Sequence, residues 1–427
     1  MKNSKLSAIA LLGAGALALS ACSTSRVANT APKDDTFKGV EENVDQTYLI
    51  LSDAQRDLVE RNNDFGLRLF RKTVGLDSRV VSPLSVTYLM GMLANGSAGQ
   101  TQQEILRTLG WTGGSEGQNA LEEANELACM MMQNFAHKDK AVTVDVANYV
   151  AVNKQMSLKD GFQRTVKDYY GAGVEALDFS TQKSAKQINK WCADQTRGMI
   201  PSIIDEVSPQ DLSYLLNAIY FCGTWADKFD KQDTRLEPFR GYTRDIKRVD
   251  MMHRNDEYFY TSQDKFDAVQ LPYGDGSFRM TVLLPHNDSS VDAMLDGLTA
   301  KKLDQVRADM TRCKVDLKLP RFTTETKIQL NDVVSALGAP TLFTSSADFS
   351  GLANGNFYVS KMLQKAKIEV SEEGTKAAAV TAAIVAMTAL NPEGPRRVSF
   401  HADHPFVYLI SEAQTGAILF IGQYAGE

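Results

Sequence analysis

The stretch that most constrains this chain lies near its C-terminal end. After Glu372-Glu373-Gly374, the run from Thr375 to Asn391 carries one charge, Lys376, and no proline until Pro392. Alanine has the highest helix propensity, so a buried helix is one outcome for such a run. A membrane span is not, because a spanning helix needs about 20 apolar residues. The β-branched Val380, Thr381, Ile384, Val385 and Thr388 favour a strand. In a strand, Thr375, Ala377, Ala379, Thr381, Ala383 and Val385 share one face, while Lys376, Ala378, Val380, Ala382 and Ile384 share the other. The first face holds only small or β-branched side chains and the charge falls on the second. That pattern suits a strand entering a crowded sheet.

The rest of the chain has material to build such a sheet. Its 427 residues are 43% hydrophobic and 23% charged, and no Pro/Ser/Gly-rich linker interrupts residues 50–427, so one large domain is expected over 48–427. Net charge is −6, or −8 once Lys2 and Lys5 are removed with a leader (−6 minus 2). No basic stripe marks a nucleic-acid partner.

Residues 1–21, with Lys2 and Lys5 ahead of the apolar run Leu6–Leu19, have the layout of a secretory signal. Leu19-Ser20-Ala21-Cys22 resembles a bacterial lipobox, which implies acylation of the Cys22 thiol and stable anchoring by several acyl chains. Ser23 after it favours the outer membrane, on the periplasmic side or at the cell surface. Residues 22–47 then read as a lipidated N-terminus and flexible tether. Cys129, Cys192, Cys222 and Cys313 are spaced too irregularly for a disulfide framework and are expected as buried thiols.

Several segments carry a family likeness. The block Glu372-Glu373-Gly374-Thr375, followed by small residues and Thr381, resembles the reactive-centre-loop hinge of serpins, the serine-protease-inhibitor family. Ser82-Pro83-Leu84-Ser85 and Asn95-Gly96-Ser97-Ala98-Gly99 resemble that family's second helix and turn. Ile188-Asn189-Lys190-Trp191 through Ile200 resembles a helix closing at a glycine, and Leu216-Asn217 through Gly223-Thr224-Trp225 resembles a serpin strand, with Cys222 where lysine is usual. Val249-Asp250-Met251-Met252, Leu271-Pro272-Tyr273, Leu317-Lys318-Leu319-Pro320-Arg321-Phe322 and Asp403-His404-Pro405-Phe406 follow in the same order.

The resemblance implies an α+β fold of about nine helices around three β-sheets, with a large central sheet and an exposed reactive-centre loop. It also implies a suicide substrate rather than an enzyme. A target serine protease, with cysteine proteases as a further class, supplies the nucleophile and becomes covalently attached. The cleaved loop then inserts as a strand. The hinge comprises Glu372, Glu373, Gly374, Thr375, Ala377, Ala378, Ala379 and Thr381. The scissile bond is Thr388-Ala389, with Met387-Thr388 as runner-up and Ala389-Leu390 left open by the longer segment before Phe400. The sheet-opening region holds Ser82, Ser85, Asn217, Trp225 and Gln364, the last standing where many serpins carry histidine. With no Lys or Arg between Ala377 and Asn391, elastase-like or subtilisin-like targets are expected. The protein should be a monomer prone to loop-sheet polymerisation. The alternative is a non-inhibitory serpin acting as a surface binding or structural protein.

No histidine has nearby partners that nominate a catalytic triad, no phosphate loop or CxxC occurs, and no metal or cofactor is expected. His401, Asp403 and His404 are read as structural, because a strand would set His404 opposite the other two. From Met362 to Val370, apolar residues and Gln364 alternate with Leu363, Lys365, Lys367 and Glu369, predicting a half-buried strand in which Gln364 must find partners.

Overall fold

The computed structural model describes residues 49–112, 120–136, 138–243, 246–375 and 395–426. In chain order its elements are α1 (Asp53–Thr73), β1 (Arg79–Val81), α2 (Pro83–Gly96), α3 (Gly99–Leu109), α4 (Ala120–Phe135), β2 (Val142–Asn153), β3 (Ser157–Leu158), α5 (Asp160–Tyr170), β4 (Gly173–Leu177), α6 (Lys183–Gln195), β5 (Ser213–Thr224), β6 (Arg235–Arg240), β7 (Ile246–Ser262), β8 (Phe266–Tyr273) and β9 (Phe278–Pro285). Then come α7 (Val291–Asp296), α8 (Ala300–Ala308), β10 (Thr311–Pro320), β11 (Phe322–Gln329), α9 (Asn331–Leu337), β12 (Ala353–Asn354), β13 (Lys361–Ser371), β14 (Gly374–Thr375), β15 (Arg397–His401), β16 (Phe406–Glu412) and β17 (Ile418–Tyr424). Nine α-helices and three sheets among the described residues match the predicted architecture.

Local chemistry sets the helix starts. Ser52 and Gln55 exchange side-chain and backbone bonds of 3.0 and 3.1 Å in a capping box that opens α1. Phe65, Leu69 and Phe70, at helical spacing, bury their side chains, and Val74 caps the helix. Ser82 caps α2 and Pro83 occupies its first turn, where a missing N–H costs nothing. α2 is apolar on nearly every side and accordingly lies inside the protein.

A nine-stranded sheet runs β1-β17-β16-β9-β8-β7-β10-β15, with β6 paired to β7. A two-stranded sheet joins β12 and β3. The six-stranded sheet, β11-β13-β14-β5-β2-β4, is mixed, because β13–β5 and β2–β4 are parallel. One face of it, including Ile219, Phe221, Ala366 and Ile368, packs into the main core against α2. α6 and the segment after it cover the other face.

Some expectations are corrected. Leu363 is buried although it lies on the outward side of β13, because the α6 layer covers it. As expected, α6 closes at a glycine: its last residue is Gln195, Thr196 bonds back to the Cys192 carbonyl at 2.8 Å, and Gly198, at φ +80, donates its N–H to the Ala193 carbonyl at 2.8 Å. Cys129, Cys192 and Cys313 are buried, but Cys222 is only half-buried, and no disulfide joins the four. β15 ends at His401, so the face rule does not reach Asp403 and His404. His401 instead meets Asp316 at 3.0 Å, while His404 meets Asp403 and the Pro285 carbonyl, each at 2.8 Å.

Candidate functional site

The six-stranded sheet is forked. β13 and β5 run parallel in register from Lys361↔Tyr214 to Lys365↔Ala218. Beyond that point, no pairing joins Ala366–Glu369 to Ile219–Cys222 among the described residues. At the open end β14 sits between them, with Thr375 opposite Val370 on one side and Gly223 on the other. Strand edges left unpaired are templates for another strand.

The turn Ser371-Glu372-Glu373-Gly374 joins β13 to β14 as a tight hairpin. Gly374 has φ +139, and a Cβ there would lie 2.1 Å from the Gly223 carbonyl oxygen, so only glycine fits. Thr375 is fully buried, its hydroxyl 2.7 Å from the Tyr273 hydroxyl. Burial pushes the Tyr273 phenol far above its usual pKa. Its ring stacks on Trp225, with centroids 4.4 Å apart. Trp225 closes the arrangement, donating from Nε1 to the Ser371 carbonyl (2.9 Å) and from its backbone N–H to the Glu373 carbonyl (3.0 Å).

The glutamates of the turn are pinned by distant residues. Glu372 is 2% exposed, accepts from the Thr234 hydroxyl at 2.8 Å and lies 3.5 Å from Arg321. Asp250 and then Glu372 raise the pKa of that guanidinium. Glu373 pairs with Lys228 at 2.8 Å and Lys231 at 3.1 Å, and these lysines, Lys228 foremost, hold its carboxyl below the usual range. Exposed pairs of this kind contribute about 0–1 kcal/mol each.

At the closed end, Gln364 is fully buried. Its Oε1 accepts from Ser82 N–H at 3.0 Å and its Nε2 donates to the Ser82 carbonyl at 2.9 Å. Ser82 Oγ donates to Ser85 Oγ at 2.9 Å and accepts from Ser85 N–H at 3.3 Å. Asn217 is the register partner of Gln364, yet its Nδ2 donates to Asn148 Oδ1 at 2.8 Å. Its own Oδ1 is buried without a hydrogen-bond partner among the described residues, which costs about 1–3 kcal/mol.

Ser82, Ser85 and Gln364 thus form one bonded group, Asn217 stands beside it, and Trp225 belongs to the hinge at the other end of the fork. Ala377, Ala378, Ala379, Thr381, Met387, Thr388, Ala389 and Cys22 lie outside the described residues. Sequence reasoning missed Tyr273, Arg321, Thr234, Lys228 and Lys231. Tyr273 and Arg321 sit inside motifs singled out from the sequence, but their contact with the hinge comes from strand pairing that no local pattern encodes. Among the described residues, no catalytic constellation lines the fork. What it offers is a lane for a strand.

The model of the family described as "Serpin (serine protease inhibitor)" matches residues 60–426. Iripin-2 from Ixodes ricinus is 33% identical over 394 residues, covering 88% of this chain and 96% of its own. Leukocyte elastase inhibitor from Homo sapiens is 32% identical over 359 residues, covering 81% and 92%. The native-state crystal structure of the thermophilic serpin tengpin superposes with a TM-score of 0.78 at 25% identity, over 91% of this chain and 96% of that one. A forked mixed sheet, a glycine-dependent hairpin at its open end and a match over nearly the whole folded region lead to one conclusion: the chain belongs to the serpin family.

Proposed function

We propose that this serpin is a suicide-substrate inhibitor of serine endopeptidases, directed at elastase-like or subtilisin-like enzymes. The observation that carries the reading is β14 seated in the open end of the fork. Continuing its register would bring Ala377 between Ile368 and Phe221, Ala379 between Ala366 and Ile219, and Thr381 between Gln364 and Asn217. Each of these residues falls on the inner face with Thr375 and is small enough for it. The Thr381 hydroxyl would supply a donor to the unpartnered Asn217 Oδ1.

The chemistry belongs to the protease. Its serine attacks the loop at Thr388-Ala389, or at Met387-Thr388, and forms an acyl-enzyme while the new amine leaves. Release of that end lets the loop zip downward from Thr375, gaining main-chain hydrogen bonds along the whole lane and dragging the acylated protease with it. The starting fold is then a kinetically held state above a more stable one. The similarity to a leukocyte elastase inhibitor supports the choice of target class.

Cys22 is proposed as the lipidated residue, tethering the inhibitor to an outer membrane through residues 22–47. Incubation with elastase, subtilisin and trypsin tests the main reading. A covalent band on a denaturing gel is expected with the first two, and mass spectrometry of the released peptide locates the scissile bond. Cleavage without any covalent band would leave the non-inhibitory alternative, a surface binding protein.

A further inference from the structure

The segment that leaves α6, residues 196–212, crosses the outer face of the fork. Its Ile200, Ile203, Ile204 and Val207 pack together on Tyr149 of β2, Tyr214 and Leu216 of β5 and Leu363 of β13. It forms one body with α6, since Asn189 Oδ1 accepts from Ile203 and Ile204 N–H at 2.8 and 3.1 Å and Gln182 bonds both backbone groups of Val207.

This body is fastened unequally to the two arms of the fork. On the β2–β5 side, Arg197 reaches Asp145 at 3.0 Å and lies 5.5 Å from the centre of the Tyr220 ring. Arg197 is held at φ +51, an uncommon conformation for a residue with a Cβ. Trp191 stacks on Tyr149 at 4.7 Å, and Asn153 donates to the Pro209 and Asp211 carbonyls. On the β13–β11 side the polar attachments are sparse. Lys361 meets Asp211 at 3.3 Å and Leu212 N–H meets Ser360 Oγ at 2.8 Å, both at the closed end. Farther up, Lys327 of β11 meets Asp205 at 2.7 Å. Lys327 is in register with Lys365, and Lys365 with Ala218, the last pair before the strands part. Lys365 itself is taken by Glu325 at 2.8 Å. The Asp205–Lys327 pair therefore bridges the crotch of the fork, from the body riding on β5 to the far arm.

We propose that Asp205 and Lys327 form an ionic clasp that sets how readily the two arms separate, making them positioning residues for strand insertion. The inference rests on the inhibitory reading given above. Separation of the arms carries the α6 body with β2 and β5, to which it is bound by many contacts, and stretches the clasp. Asp205 is 86% exposed, so the clasp is screened by salt and ionic strength tunes opening.

Hydrogen–deuterium exchange on the intact protein, followed in peptides from Leu216–Cys222 and Leu363–Val370, tests this directly. Asp205→Asn and Lys327→Gln should each speed exchange there about two- to five-fold at low salt, the range expected of an exposed ion pair. The unaltered protein should match them near about 1 M sodium chloride, where the screening length falls to about 3 Å. The reversed pair, Asp205→Lys with Lys327→Asp, should restore slow exchange. Equal rates in Asp205→Asn and the unaltered protein, or salt indifference of the latter, would overturn the clasp. The rate of covalent complex formation with elastase should rise by the same factor in both single variants. Absence of any complex from the unaltered protein would sink the inhibitory reading, and the exchange comparison would still decide the clasp.

Discussion

Thr375→Arg is the most informative perturbation of the hinge. Thr375 is fully buried and its hydroxyl lies 2.7 Å from that of Tyr273. Losing this bond strands the Tyr273 hydroxyl in the core at about 1–3 kcal/mol, and a buried guanidinium without a carboxylate adds several more. The cheaper outcome is expulsion of β14, which gives up the pairing of Thr375 with Val370 and Gly223 at about 1 kcal/mol per hydrogen bond. Insertion must still bury the guanidinium at that position, a handicap of about 3–5 kcal/mol that slows it more than about a hundred-fold. Deacylation by water is untouched by the substitution and now wins the race. Thr375→Arg should therefore be cleaved at the same bond by elastase, shown by mass spectrometry, yet yield almost no SDS-stable complex. Stoichiometric complex from this variant would refute the reasoning, because it would mean that insertion does not pass through Thr375.

Three other perturbations separate the parts of the fork. Gly374→Ala puts a methyl 2.1 Å from the Gly223 oxygen at φ +139, so it should displace the turn and abolish trapping while the melting temperature stays within a few degrees; undiminished complex yield would show the turn to be dispensable. Gln364→Ala leaves the Ser82 N–H buried without a partner, at about 1–3 kcal/mol, while the Ser82 carbonyl keeps the Val86 N–H at 3.3 Å, and denaturant titration should report a loss of about 1–3 kcal/mol; less than about 1 kcal/mol would mean that water replaces the amide. Lys154, then Ser180, lowers the Asp178 pKa from 3.8 to about 2. A lowered folded pKa means that stability is present above about 3.8 and lost as pH falls through about 2, so the melting-temperature gap between the unaltered protein and Asp178→Asn should be flat from neutral pH to pH 5 and shrink below pH 4; a pH-independent gap would contradict this.

How far the fork can be read from the sequence depends on the range of the contact. The alternation of Met362, Gln364, Ala366, Ile368 and Val370 is a period-2 signal, and all five side chains are buried in β13. It fails at Leu363, because burial on the second face is decided by an α6 layer more than 150 residues earlier in the chain. Adjacent glutamates next to a glycine carry no local signal of depth. Two lysines meet Glu373 near the surface, whereas Arg321 and Thr234 draw Glu372 inward to 2% exposure. A carboxylate that deep must find a cation or leave, so the burial of Glu372 requires β11 to begin where Arg321 can reach the end of β13. The antiparallel register of those strands, Phe322 against Val370, puts it there. The hinge is therefore a product of sheet register as much as of its own residues, and a one-residue slip of β11 would remove the Arg321 contact while leaving every local motif in the bait segment unchanged.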